Sequence, residues 1–116
     1  RRNHRELCAW QSAIALVESV YSQTLSFPRE EQFGLTISYG GLQFPSANIS
    51  EGFARNGSKE LLHFLGIASG SLSELDTLVE LAGRLGYILE PEKLQGQVDE
   101  VSGLVMGLAV SIRRRV

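Results

Sequence analysis

Apolar residues recur at helical spacing along almost the whole chain. Leu7, Trp10, Ile14, Val17 and Tyr21 follow one another at steps of three and four, which predicts a first helix from about His4 to Thr24 with these residues as its apolar face. Phe27 and Pro28 break that pattern. A proline suits a first helical turn, and Glu30 and Glu31 suit the positive end of a helix dipole, so a second helix is predicted from Pro28 to Arg55. Gly40, Gly41 and Pro45 oppose helix inside that span. The ring of Pro45 would press on the carbonyl of Gly41, which predicts a kink rather than two fragments. "NGS" at 56–58 then reads as a stop and an immediate restart, with Gly57 in the left-handed position and Ser58 capping the next helix.

The third helix has the broadest apolar face. Leu61, Leu65, Ala68, Leu72, Leu75, Val79 and Ala82 alternate steps of four and three, and Phe64, Ile67, Leu78, Leu81 and Leu85 widen the stripe, so this helix is expected at the centre of the fold. Gly86 ends it. Pro91, in "EPEK", opens a fourth helix whose stripe is Leu94, Val98, Val101, Val105, Leu108 and Ile112. Four helices joined by short links predict an all-α, up-down-up-down four-helix bundle, one domain over residues 1–116.

Composition agrees with a single core: 116 residues can bury roughly two thirds of the surface of the unfolded chain. No apolar run approaches the ~20 residues of a membrane span, so no membrane partner is expected. The lone Cys8 cannot form an internal disulfide and no secretory pattern is visible, which makes the cytoplasm the expected location. Charge changes the picture more. Arg1, Arg2, Arg5, Arg113, Arg114 and Arg115 supply six of the eleven basic residues. The remaining five face all thirteen acidic residues, a net of −8 for the body of the chain. An up-down-up-down bundle returns its last helix to the end where the first began, so the six arginines are expected to form one basic rim able to hold a phosphate backbone weakly.

"ANISEGFAR" places Asn48, Glu51 and Arg55 close to one helical stripe, with Glu51 and Arg55 at the i, i+4 separation that lets side chains meet. Glu74 could join them from the third helix. The set lacks a nucleophile and a base titrating near neutrality, so a structural or intersubunit network is expected.

"FPREEQFGL", "NISEGFAR" and "GSKELLHFLGIASGSLSELDT" resemble the small four-helix-bundle proteins found in intervening sequences of bacterial large-subunit ribosomal RNA genes. The relatives of that family include the accessory variability determinants of diversity-generating retroelements. The resemblance runs from Trp10 to about Ile88 and is most specific over Asn48 to Thr77. It implies a four-helix bundle assembled into a homopentameric barrel. For the retroelement relatives it also implies RNA and reverse transcriptase as partners. The chain departs from the family where an arginine pair usually precedes "SIPANIAEG". It reads "YGGLQFPSANISEG", with Tyr39 and Gly40 in place of the arginines, Pro45 one position early, and Leu35 in register only after a one-residue deletion. The mid-helix basic patch is absent, so fold and assembly carry over while the partner does not.

Enzymatic patterns are incomplete. Glu60 and His63 form one Glu-x-x-His, but a di-metal bundle needs two such motifs and two further carboxylates, and His4 has Arg1 where a glutamate would be required. No metal or other cofactor is expected. Arg55 and His63 resemble the Arg–His hallmark of helical-bundle ribonucleases, but their spacing is too wide and crosses a turn. Cys8 suits packing, Ser69 and Ser71 lack a paired base, and no phosphate-binding glycine loop occurs. Gly66, Ser69, Gly70 and Ser73 lie on the third helix away from its main stripe. There glycine costs about 1 kcal/mol in helix propensity, which a close approach by another helix or a neighbouring subunit would offset. The sequence therefore reads as a non-enzymatic, self-associating scaffold or adaptor for an unidentified protein or nucleoprotein. Weak RNA binding through the arginine rim is the second reading, and a cryptic enzyme the third.

Overall fold

A computed structural model describes residues 4–31, 50–54 and 57–115. Among the described residues there are helices and turns and no strand. Helix α1 spans His4–Thr24, a short 3-10 turn follows at Arg29–Glu31, and a helical turn, α2, occupies 50–53. Helix α3 spans Ser58–Arg84 and α4 spans Pro91–Arg115. The kink expected at Pro45, with Gly40 and Gly41, lies outside the described residues.

The fourth stripe buries as expected and the third for the most part: Leu61, Phe64, Ile67 and Leu78 are half-buried, while Leu81 and Leu85, expected to widen it, are exposed. Leu65, Ala68, Leu72, Leu75, Val79 and Ala82 of α3 meet Leu94, Val98, Val101, Val105, Leu108 and Ile112 of α4 in one core. Each large aliphatic side chain taken out of water there contributes about 1.5–3 kcal/mol. The expectation for α1 is corrected. Its buried face is Ala9, Ala13, Leu16 and Val20, whereas Leu7, Ile14 and Tyr21 of the expected stripe are exposed and Trp10 and Val17 half-buried. Ala9 and Ala13 are weak hydrophobes in a pattern count. They are nevertheless the residues that let a neighbouring helix come close, and their small volume takes the place of large knobs.

Among the described residues α4 packs against both α1 and α3, and the buried faces of all three meet in one core; the packing of residues 32–49 against α3, on which its expected central place depends, lies outside the described residues. Both contacts are antiparallel. Ser12 of α1 donates to Glu100 of α4 at 3.4 Å, while residues 15–23 share a groove with residues 93–97. On the other side Gln95 donates to Glu80 at 3.1 Å near the end of α3 and the start of α4.

The link between α3 and α4 is set by three residues. Gly86 takes φ +78 and closes α3: its N–H bonds the Gly83 carbonyl at 3.1 Å, and the Tyr87 N–H bonds the Ala82 carbonyl at 2.9 Å. Pro91 is the first residue of α4, where its missing N–H costs nothing. Gly83 lets the chain fold back, because a Cβ there would lie 2.7 Å from Pro91 Cγ and 2.9 Å from its Cβ. The same end receives the loop after α1, where the Phe27 and Tyr87 rings sit 5.8 Å apart and Ser26 Oγ lies 3.1 Å from the Tyr87 carbonyl. Phe27 and Ile88 are buried there.

The start of α3 differs from the expected cap. Gly57 is itself the N-cap in an extended conformation, φ −126 and ψ 143, and accepts the Leu61 N–H at 3.1 Å. Ser58 is the first helical residue and no side chain caps the helix.

Candidate interaction site

The first candidate surface is a groove between α3 and α4. Leu62, Leu65, Gly66 and Ser69 form one wall and Met106, Ala109, Val110 and Arg113 the other, around about 200 Å³ of accessible space. Two causes leave it open. The α3 wall is small, since no described atom lies within 4 Å of a Cβ added at Gly66 or Gly70. The α4 wall turns apolar side chains outward, with Met106 64% and Val110 43% exposed. The close-packing face expected at Gly66, Ser69, Gly70 and Ser73 therefore receives no helix from the described part of the bundle; Gly66, Gly70 and Ser73 are exposed and Ser69 half-buried.

Close packing by glycine occurs elsewhere. A Cβ at Gly52 would stand 2.8 Å from Leu61 Cδ1 and 3.2 Å from Phe64 Cβ, so this residue lets α2 lie against the start of α3. Sequence reasoning missed it. The signal was present in "SEGFAR", an isolated glycine inside a helical pattern. Gly83 was missed likewise, and its signal was the proline that opens the next helix.

Of the expected polar network, Asn48 and Arg55 lie outside the described residues. Glu51 is exposed on α2, and the pairing with Arg55 expected for it lies outside the described residues. Glu74 is not brought to it. Since α2 touches α3 at Leu61 and Phe64, Glu74 stands ten residues beyond the contact, roughly 15 Å along the helix. It too is exposed.

The second candidate surface is the end where α1 begins and α4 finishes. The antiparallel packing places Arg5, Arg113 and Arg114 there, all exposed. Arg1, Arg2 and the side chain of Arg115 lie outside the described residues. Lys59 and His63, at the start of α3, add positive or titratable groups near this end, while Glu6 and Glu60 moderate it.

The remaining chemistry is sparse. Cys8 Sγ lies 3.5 Å from His4 Nε2, one turn away on α1. His63 packs edge-on against Phe64, with ring centroids 5.4 Å apart. Hydrogen bonds from Arg84 and Gln95, with the Arg84 charge, hold the Glu80 carboxyl below its usual range. That pairing is present at neutral pH and is lost only as pH falls below the ordinary carboxylate value. Among the described residues no three His, Cys, Asp or Glu side chains are grouped to hold a metal ion, and no helix is long and apolar enough to cross a membrane.

Antiparallel helices around one core, which is what the described residues form, define a class rather than an identity. The family model for the 23S rRNA-intervening sequence protein matches residues 44–107, more than half of the chain, and the protein belongs to that family. No curated protein matches the chain.

Proposed function

We propose that the protein is a non-enzymatic helical scaffold that acts as an assembly of identical copies, with five as the expected number. The observation that carries this reading is the amount of apolar side chain turned outward on two different helices: Leu7, Ile14 and Tyr21 on α1, Met106 and Val110 on α4. Large apolar side chains grouped at a surface favour association with another protein surface. The number five rests on the family resemblance. The test is Met106→Asp, which places a charge at the centre of the open groove. It is expected to reduce the particle measured by light scattering to single chains while circular dichroism keeps its helical signal. An unchanged particle size contradicts the use of this surface in assembly.

The convergence of Arg5, Arg113 and Arg114 at one end favours a second reading, in which the assembled rim holds RNA weakly and without sequence preference. Fluorescence anisotropy with single-stranded and structured RNA is the measurement. Binding is expected at ~50 mM salt, to fall steeply by ~200 mM, and to lose salt slope when Arg113, Arg114 and Arg115 become alanine. Absence of binding at the lower salt, or binding indifferent to the triple substitution, removes the rim and leaves a protein partner.

A further inference from the structure

We infer that chains of two separate assemblies pair through the outward face of α4, helix against antiparallel helix, about a twofold axis beside Gly107. The inference goes beyond the five-membered reading, because a twofold contact joins chains in pairs and cannot itself close a set of five.

The face of α4 turned away from the core carries its charge in two blocks. Asp99 and Glu100 stand exposed about two turns into the helix, and Arg113 and Arg114 stand exposed in its last turn. The helix dipole favours the arginines at the C-terminal end, but it acts only within the end turns and gives no reason for the carboxylates. Among the described residues none of the four has an ion-pair partner in its own chain, and Glu100 has only the 3.4 Å hydrogen bond from Ser12.

The spacing makes this face complementary to itself. Each arginine follows a carboxylate by fourteen residues, so Arg113 lies on the same side of α4 as Asp99, and Arg114 on the same side as Glu100, roughly 21 Å along the axis. The midpoint of the first pair is position 106 and that of the second is 107. A second copy turned end over end about that level sets its carboxylates against these arginines and its arginines against these carboxylates, whereas a parallel copy would stack like charges. Val110 and Gly103 share the same midpoint. The Val110 side chain, 43% exposed, then meets a position of the second copy where no described atom lies within 4 Å of an added Cβ. Gly107, at the axis, is equally open, so the two backbones can approach closely. The groove opens on the α3 side of α4, and only Val110 and Arg113 border both surfaces.

Sedimentation of the full chain tests the pairing. The five-membered particle is expected alone at micromolar concentration, and at ~100 µM, where a contact of one helix face becomes populated, particles of twice its mass and above, which added salt disperses. Arg113→Glu with Arg114→Glu makes the face wholly acidic, and Asp99→Arg with Glu100→Arg makes it wholly basic. Each double variant is expected to keep its micromolar size at ~100 µM, and an equimolar mixture of the two to regain the heavier particles. A mixture no heavier than its components overturns the inference. A parent chain that stays at five copies throughout also overturns it and leaves the scaffold reading standing. A parent of single chains removes both, and a parent of two chains keeps the pairing and removes the number five. Cross-linking checks the register independently. In a Cys8→Ser background, Gly103→Cys with Val110→Cys is expected to give covalent pairs of chains under mild oxidation, and either substitution alone none, since like positions across the axis stand roughly 10 Å apart. Dimers from Gly103→Cys alone, or none from the double variant in particles of twice the five-chain mass, overturn the pairing.

Discussion

Glycine does opposite things at different places in this chain. At Gly83 the space a side chain would need is filled by the Pro91 ring, 2.7 Å away, and the ring cannot yield. At Gly66 nothing lies within 4 Å. Alanine should therefore act with opposite sign at the two positions. Gly83→Ala is expected to lower stability by about 1–3 kcal/mol, since overpacking exceeds the gain in helix propensity. Gly66→Ala is expected to raise the stability of the single chain by about 1 kcal/mol. Urea unfolding of both variants checks the difference in sign. Composition lists these residues together as glycines in helices; only the packing of the next element separates them, which is why the sequence pointed to Gly66 and passed over Gly83 and Gly52.

At the scale of the helix, α1 carries two apolar faces, and hydrophobic spacing alone cannot tell which one enters the core. The row with the larger side chains, Leu7 to Tyr21, reads as the stronger stripe. The alanine-containing face is the one that α4 covers, because small side chains permit the closer approach. Truncation on each face measures the assignment. In a Met106→Asp chain, where assembly is removed, Leu16→Ala is expected to cost about 2–5 kcal/mol and Leu7→Ala less than about 1 kcal/mol. Equal costs contradict it. The bounds of α1, the stop of α3 at Gly86 and Pro91 in the first turn of α4 were legible beforehand, since each is a local preference of the backbone, whereas the left-handed conformation expected at Gly57 is found at Gly86 and Gly57 is extended. Burial in α3 and α4 was legible for a different reason: each carries one long stripe of aliphatic residues at steps of three and four, and that stripe forms the core, although Leu81, Leu85, Met106 and Val110 stand outside it. The cap at Gly57 was not, because Ser58 and Gly57 are both acceptable there and tertiary placement chooses between them.

For the whole molecule, the antiparallel path of α1 and α4 decides what the two surfaces can do. It gathers Arg5, Arg113 and Arg114 at one end and leaves Glu74, Asp76, Asp99 and Glu100 along the body, so a ring of copies would present one basic face on an acidic wall. The expected arginine cluster followed from topology alone. The groove did not, because it is made by what is missing from one helix and turned outward on another. Membership in the 23S rRNA-intervening sequence family fixes neither use, and the association surfaces carry the proposal.

The solution mass of the unaltered chain tests that proposal most directly. Native mass spectrometry at micromolar concentration is expected to give one dominant species at five times the chain mass of 12.7 kDa. A dominant species at 12.7 kDa itself, persisting as concentration rises, would contradict the account, because the outward apolar rows of α1 and α4 would then face water with no second copy to cover them.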